Sequence, residues 1–511
     1  MKTKEFFGSK LFKFTASLIT ALALVFLTPD CLEMKWKVSI IGTLFLITNL
    51  SQWIGKSRWI THFFRVATGA LFIFSGTIKS NDPTGFAIKL KEYFEIFKDD
   101  FSNLSTGRKE ILELVRNDEK TKQIIAQSAN WDTPITEEEI ISRASEFFDK
   151  RYKSVSDKEN IWMASCDFFH DHAVELAIII CVSEVALGLM LLIGLLPGLT
   201  LWLLLGQIVF FTFLTFYSAC YNKVTHCGCF GDFLKLTPWT SFGKDIALLI
   251  AIAFLFSGKE NITPVFKRIA VNWSLNIVAI TFSVWFPLYC YNHLPVWDFL
   301  PFYDGADVCA GRQNGPNYKA PVYANYFIYK NNLTGEEKRF DGNNIPWKDS
   351  AVIKNVKSPL WQYVSAEPPQ LISEEQDAAK ITTYTIQDLN GNEIADSLLQ
   401  SKDYYFLLVM NSLEESNKEP ALMKKMNAFC LAAEKEEIKF LALTHDFAED
   451  IKKYKFENQA MFDFAISDDV QLKMMVRANP GLMLFKGCKM IKKWHYNDFP
   501  EYNDVKKTYF K

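Results

Sequence analysis

The sequence predicts an α-helical polytopic membrane bundle of about seven spans, followed by a soluble α/β domain. Three observations carry that prediction. Long apolar runs recur up to about residue 290 and then stop. The short loops between them place Lys and Arg on alternate sides, as the positive-inside rule requires. From about residue 380, short apolar strands alternate with segments of helical period.

A bilayer core takes about 20 residues of apolar helix, because each residue rises about 1.5 Å. Runs that meet this need lie near 12–29, 38–54, 62–78, 173–195, 197–218, 243–257 and 270–289. Only Leu196-Pro197-Gly198 joins the fourth to the fifth, which forces an antiparallel helical hairpin. The second and sixth are shorter or more polar. One such run fits a buried core helix equally well, but seven in series do not. The first run also has the basic start and short apolar stretch of a signal peptide, although Thr28-Pro29-Asp30-Cys31 offers no small-x-small cleavage site.

Lys2, Lys4, Lys10 and Lys13, then Lys56 and Arg58, then Lys259, Lys267 and Arg268 all fall on one side of this alternation. Placed in the cytoplasm, they put 80–170, 219–242 and everything beyond 290 outside. The expected setting is a bacterial inner membrane, with the N-terminus cytoplasmic and the C-terminal domain periplasmic. A net charge of -2 and the absence of a basic stripe exclude nucleic acid as a partner. The lipid bilayer is the first partner, and a periplasmic or membrane protein the second. Of the ten cysteines, Cys181 lies within a span. Cys31, Cys166, Cys220, Cys227, Cys229, Cys290, Cys309, Cys430 and Cys488 fall at or beyond the outer face, where disulfides are permitted.

The domains expected are two leading spans (1–61), a membrane module (62–290), a linker with short strands (291–375) and the α/β domain (376–511). An extracytoplasmic insertion at about 86–170 interrupts the module. Its stretches 86–98, 107–128 and 136–153 have helical spacing of apolar residues among charges, for example Ile111, Leu114, Val115 and Ile124, with a start at Thr136. A small helical cap is expected there, and a solvated spacer without a site accounts for its charges equally well.

The densest chemistry lies in the loop between the fifth and sixth spans, which contains Cys220, Lys223, His226, Cys227-Gly228-Cys229, Gly231 and Asp232. Gly228 lets two thiols approach across a sharp turn. A disulfide in so small a ring is strained and oxidising, which suits exchange with another protein's thiols. Lys223 and His226 favour a thiolate, and Asp232 opposes it if close. A static disulfide such as Cys220 to Cys229 is the second reading. A metal held by Cys220, His226, Cys227 and Cys229 is the third. Structural zinc prefers two to four residues between paired cysteines, so no metal is expected.

Glu184 lies in the middle of the run 173–195, where an ionisable group is costly. It is expected to pair with a polar residue on a neighbouring helix or to carry a proton. Gly188 and Gly194 on the same run allow close helix approach. Lys79 and Asp82 sit at the outer end of the third run, where snorkelling accounts for them.

Taken together, these residues resemble a known family. Arg65, Gly69, Ser75-Gly76, Lys79, Asp82-Pro83, Gly85, Lys89, Glu92 and Tyr93 look like the first-helix signature of DoxX-type membrane proteins. Glu184 through Gly188 and Gly194 look like the second. Cys227-Gly-Cys-Phe-Gly-Asp232, Lys235, Pro238-Trp239, Lys244 and Asp245 are similar to the loop of the MauE branch. The likeness covers about 62–290. It implies a four-helix membrane module associated with redox chemistry, with Cys227, Cys229 and Glu184 as catalytic candidates. Cys220, His226, Asp232 and Lys79 would support them, and a quinone is the cofactor implied. MauE-type proteins are linked to maturation of a periplasmic, disulfide-rich dehydrogenase. The two leading spans and the insertion 86–170 depart from the compact form.

Beyond the bundle, Pro295 and Pro301 predict an extended exit. Short strands follow over 322–365, with Tyr323, Tyr326, Phe327 and Ile328 in one, and Pro368-Pro369 marks a boundary. Then come strands at 404–410, 438–443, 462–466, 482–485 and 490–494, and helices at 419–435, 447–455 and 469–477. Asn479-Pro480-Gly481 resembles the cis-proline corner of thioredoxin folds, which makes Pro480 structural. The turn Asn411–Ser416, where a thioredoxin carries its dithiol, has no cysteine. A thioredoxin-like domain lacking the Cys-x-x-Cys is therefore expected to bind rather than to exchange disulfides. Cys430 is expected in the core, and Cys488 as an exposed free thiol in a hairpin turn.

The function expected is a membrane redox component that relays disulfides or electrons at the outer face, either a thiol-disulfide or a quinone-linked oxidoreductase part. The alternative is a non-enzymatic scaffold that assembles an envelope complex. A transporter fits less well, since there is one central carboxylate and no pair of broken helices.

Overall fold

A computed structural model describes residues 57–104, 150–221, 224, 230–234, 236–331, 334–342, 361–366, 370–373, 375–416 and 419–510. The chain divides into two compact units, Met1–Phe299 and Leu300–Lys511. The apolar runs 12–29 and 38–54, and the helices expected at 107–128 and over most of 136–153, lie outside the described residues.

In the first unit, helix α1 spans Arg58–Asn81, α2 Pro83–Leu104, α3 Lys150–Asp171, α4 Ala173–Ile193, α5 Pro197–Tyr221, α6 Pro238–Ser257 and α7 Ile269–Asn292. Four of these, α4 to α7, are long and apolar enough to cross a bilayer. The chain is a membrane protein whose helices contact lipid. On α7, Ile277, Val278, Phe282 and Trp285 are more than half exposed, which is the surface lipid would cover.

Helix α1 is not among the four, and its composition explains why. Its inward face carries Thr61, Arg65, Thr68, Lys79, Ser80 and Asn81, all buried. That face packs on α4 through glycine. A Cβ built on Gly188 would meet Gly69 O at 2.8 Å, and one on Gly76 would meet Glu184 Cβ at 2.8 Å. The two backbones are in contact, which only small residues allow.

Helix ends are defined by specific partners. Gly194, with φ +71, ends α4, and its N–H and that of Leu195 bond back to Leu191 O and Met190 O. Arg65 reaches the same end. Its guanidinium donates to Leu191 O at 2.9 Å, Leu192 O at 2.7 Å and Thr263 O at 3.1 Å. Carbonyls that no helical N–H can reach are thereby satisfied. Thr237 caps α6 by accepting from Thr240 N, and Pro238 takes the first helical position, where no N–H is needed. Helix α3, beginning at Lys150, was not expected as one piece. Its apolar residues, among them Ile161 and Phe168, are largely exposed and leave no clear period.

The second unit starts with the one-turn helix α8, Val308–Gly311, and strands β1 Val322–Ala324, β2 Tyr326–Asn331, β3 Glu337–Asp341, β4 Trp361–Ala366 and β5 Gln370–Ser373. The strand expected through Tyr323 to Ile328 is thus two, broken at Asn325. Strands β3-β2-β4 form an antiparallel sheet around buried Tyr329, while β1 pairs with β5.

The rest is an α/β layer structure. Its elements are β6 Gln387–Asp388, α9 Ala395–Leu399, β7 Tyr404–Val409, α10 Pro420–Glu434, β8 Lys439–Thr444, α11 Ala448–Asn458, β9 Asp463–Ile466, α12 Asp469–Met475, β10 Gly481–Lys486, β11 Lys489–His495 and α13 Tyr502–Tyr509. The sheet runs β11-β10-β7-β8-β9-β6. Strands β7, β8 and β9 are parallel, while β10, β11 and β6 join antiparallel. Phe406, Leu408, Phe440, Ala442, Leu482 and Leu484 meet α10, α11 and α13 in one core. Tyr405, Leu407, Leu441, Leu443, Met483 and Phe485, on the opposite face, are buried as well. Burial on both faces explains why these strands read as continuous apolar runs.

Candidate functional site

Two lysine–carboxylate pairs occupy the end of the bundle where α1 stops and α6 starts. Lys79 Nζ lies 2.5 Å from Glu184 Oε1, and each side chain is 2% exposed. The Phe211 and Phe86 rings sit 4.1 and 5.1 Å from the ammonium, measured to the ring centroids. Glu184 Oε2 is buried without a hydrogen-bond partner among the described residues. The snorkelling expected of Lys79 is therefore corrected. Its stem does not lift the ammonium to the surface, because Gly76 brings α4 close enough to supply the carboxylate.

The second pair joins Lys244 to Asp245, which is fully buried and accepts from Thr215 Oγ1 at 2.9 Å. Lys244 also lies 5.6 Å from the Phe230 ring. Asp245 and Thr215 were not singled out as functional by sequence reasoning. The signal available was an Asp inside an apolar run about two turns past a Pro start.

The cysteine loop is anchored on both sides. Ser218 Oγ donates to Val224 O at 2.5 Å, and Val224 is fully buried in the cluster that contains Phe86, Phe211 and Cys181. Those rings are the ones that cover Lys79. On the far side, Phe230 is buried beside Leu71 and Leu236. Lys223, His226, Cys227 and Cys229 lie outside the described residues. Cys220 is disulfide-bonded. Asp232 is half-buried in the turn that follows the loop.

In the second unit, the Asn479–Pro480 peptide bond is cis. Asn479 Nδ2 donates to Ser412 O at 2.9 Å, and Leu413 N donates to Asp446 Oδ2 at 2.7 Å. Ser416 Oγ donates to Leu413 O at 2.8 Å and lies 3.2 Å from the Tyr454 hydroxyl. The turn Asn411–Ser416 is thus held from two other loops and from helix α11, and it carries no thiol. Cys430 is fully buried in the core, and burial pushes its thiol pKa up to about 12.

The expectation of a free Cys488 is corrected. It forms a disulfide with Cys309, Cα to Cα 5.4 Å, which ties the start of this unit to the β10–β11 turn. Backbone bonds beside it explain the proximity. Gly305 N donates to Met490 O, Met490 N to Ala306 O, and Val308 N to Cys488 O, so residues 305–308 run as an extra edge along β11. Among the described residues, the one grouping with metal-ligand proximity is Asp307 with these two cysteines, and the disulfide consumes both thiols.

No curated protein and no solved structure matches the chain. A family model does match part of it. Residues 162–258, from the end of α3 through α6 and including both the cysteine loop and Glu184, are similar to the family described as Methylamine utilisation protein MauE.

Proposed function

We propose that the chain is an inner-membrane redox component that relays disulfides or electrons at the outer face through Cys227-Gly228-Cys229. A redox-inactive, thioredoxin-like C-terminal domain docks the client. The observation that carries this reading is the family match over 162–258, which spans the Cys-Gly-Cys loop together with Glu184 and the Lys244–Asp245 pair. The Cys309–Cys488 and Cys220 disulfides support an oxidising compartment for the loop and for the second unit. That agrees with the Lys and Arg distribution, which sends both outward. The strand order, the cis bond before Pro480 and the thiol-free turn at Asn411–Ser416 support a thioredoxin-like binding domain.

In the relay, a client thiolate attacks one sulfur of the loop disulfide. This gives a mixed disulfide and releases the other loop sulfur as a thiolate. The client's second thiolate then displaces the first, leaving an oxidised client and a loop dithiol. Two electrons and two protons must leave the loop before the next cycle, and a quinone, if bound, would supply an acceptor for both. Lys79 Nζ and the unpartnered Glu184 Oε2 would hold such a headgroup, one as donor and the other as acceptor. By analogy with the matched family's description, the client belongs to a system of methylamine utilisation.

The alternative is an assembly scaffold with inert cysteines. Alkylation trapping in intact cells separates the two. The relay requires Cys227 and Cys229 to shift between oxidised and reduced forms when respiration is blocked. A pair that stays locked, with a Cys227→Ser/Cys229→Ser variant that functions normally, leaves only the scaffold.

A further inference from the structure

In the second unit, β7, β8 and β9 are parallel neighbours. The helix after β8, α11, packs through Ile451 and Tyr454 on the face that holds Phe406 and Phe440. The helix after β9, α12, lies over the other face, where Lys493, the register partner of Met483, donates to Met475 O at 3.2 Å. Successive helices that leave to opposite faces open a crevice at the carboxyl ends of their strands, where ligands bind. The loops around this crevice are tied to one another. Leu413 N donates to Asp446 Oδ2 at 2.7 Å, and His445 Nδ1 lies 4.0 Å from Asp469 Oδ1.

Two apolar side chains stand at its mouth, where the local rules of helix formation disfavour them. Phe447 occupies the N-cap of α11 with no side-chain cap bond, and it is 79% exposed. That position favours Ser, Thr, Asp or Asn, whose oxygen accepts from the first turn. Val470, in the first turn of α12, is 61% exposed and β-branched. Each residue weakens its helix and gains no burial in return. A local rule broken without compensation is the mark of a functional position.

The rim decides the charge of the ligand. A helix N-terminus beside such a crevice commonly receives an anion. Here the chain's own carboxylates occupy those ends: Glu449 and Asp450 in the first turn of α11, Asp469 in that of α12, and Asp468 capping Gln471 N. The helix dipole accounts for these four. It does not account for Glu414 and Glu415, both exposed in the turn after β7. We infer that this crevice docks an extended peptide segment carrying lysine or arginine beside an apolar side chain. Phe447 and Val470 take the apolar group, while Glu414, Glu415 and the first turn of α11 meet the cations. The inference rests on the client-docking role proposed for this domain, and it names the chemistry of the segment docked.

The test uses the full chain in phosphatidylcholine nanodiscs, whose neutral surface does not attract a basic peptide. The probe is a short fluorescein-labelled peptide of alternating lysine and leucine, read by anisotropy. Two control peptides replace its leucines with serine or its lysines with glutamate. The wild type is expected to bind the probe about tenfold more tightly than either control. Phe447→Ser should weaken binding about ten- to thirtyfold, the loss usual when an anchoring aromatic is truncated. It should not lower thermal stability, because serine supplies the missing cap. Phe447→Trp should retain affinity. Phe456→Ser, at a ring 87% exposed near the far end of α11, should leave affinity unchanged. Glu414→Gln/Glu415→Gln should weaken binding and flatten its salt dependence. Equal binding of the controls, or of the probe to Phe447→Ser, overturns the inference, as does an equal loss in Phe456→Ser. The probe has no thiol, so its docking is read apart from the relay. Docking with loop thiols locked in cells retires the relay alone, and shifting thiols without docking retire this surface alone.

Discussion

Lys79 and Glu184 sit 105 residues apart in sequence and form a 2.5 Å ion pair with almost no exposure to solvent. Such a pair adds little net stability over an apolar replacement, but it is costly to break from one side. Glu184→Gln and Lys79→Met should each destabilise the bundle by about 3–5 kcal/mol, because each leaves one buried group uncompensated. The double variant should recover most of that loss. Unfolding in a denaturing-detergent titration measures all three. A double variant as unstable as the sum of the singles would show that the two groups do not act as a pair.

Helix α1 approaches α4 at Gly188, where an added methyl meets Gly69 O at 2.8 Å. Gly188→Ala is expected to cost about 1–3 kcal/mol by forcing the helices apart. Gly206 on α5 has nothing within 4 Å of the same construction. Gly206→Ala should therefore be neutral, or stabilising by up to about 1 kcal/mol, since alanine is the better helix former. Equal effects at the two positions would contradict the close packing.

The Cys309–Cys488 disulfide closes a loop across 179 positions and so restricts nearly the whole unfolded second unit. Cys309→Ser or Cys488→Ser should lower its stability by about 2–5 kcal/mol. Added reductant should produce the same loss in the wild type and no further loss in the variants. Denaturant unfolding with and without reductant reads both outcomes.

Burial raises the Cys430 pKa to about 12 from a usual value near 9. The unfolded chain loses this proton first as pH rises, so the folded state then binds more protons. Stability from this group is complete below about pH 8.5 and declines as pH climbs towards 12. Cys430→Ala should flatten that alkaline decline, which denaturation between neutral and strongly alkaline pH will reveal. At neutral pH the native Cys430 thiol should resist alkylation until the domain unfolds.

Much of the architecture can be read from local pattern. The runs over 173–195 and 197–218 become Ala173–Ile193 and Pro197–Tyr221 because uniform apolarity and the Leu196-Pro197-Gly198 break are local properties. The alternation beyond residue 400 is equally local, and each predicted strand there has its counterpart in the sheet. Partnership is what the pattern does not carry. Lys79 stands at a helix end, and nothing in its neighbourhood indicates whether it faces water or Glu184. Cys488 stands in a hairpin turn, and its partner comes from an edge segment far upstream. Helix α13 escaped notice because its buried face is only Tyr502 and Val505, too short a stripe to show a period.

Arg65 spends its guanidinium on Leu191 and Leu192, 126 and 127 residues later in the chain. During synthesis, α1 emerges with that cation and Lys79 unmatched, each near an end of the helix, where a charge costs less than at mid-membrane. Both debts are settled only when α4 is made. The first of these helices must therefore wait beside the translocation channel or at the lipid surface until the second arrives. Biogenesis of this bundle is thus ordered by pairing rather than by the order in which its segments leave the ribosome.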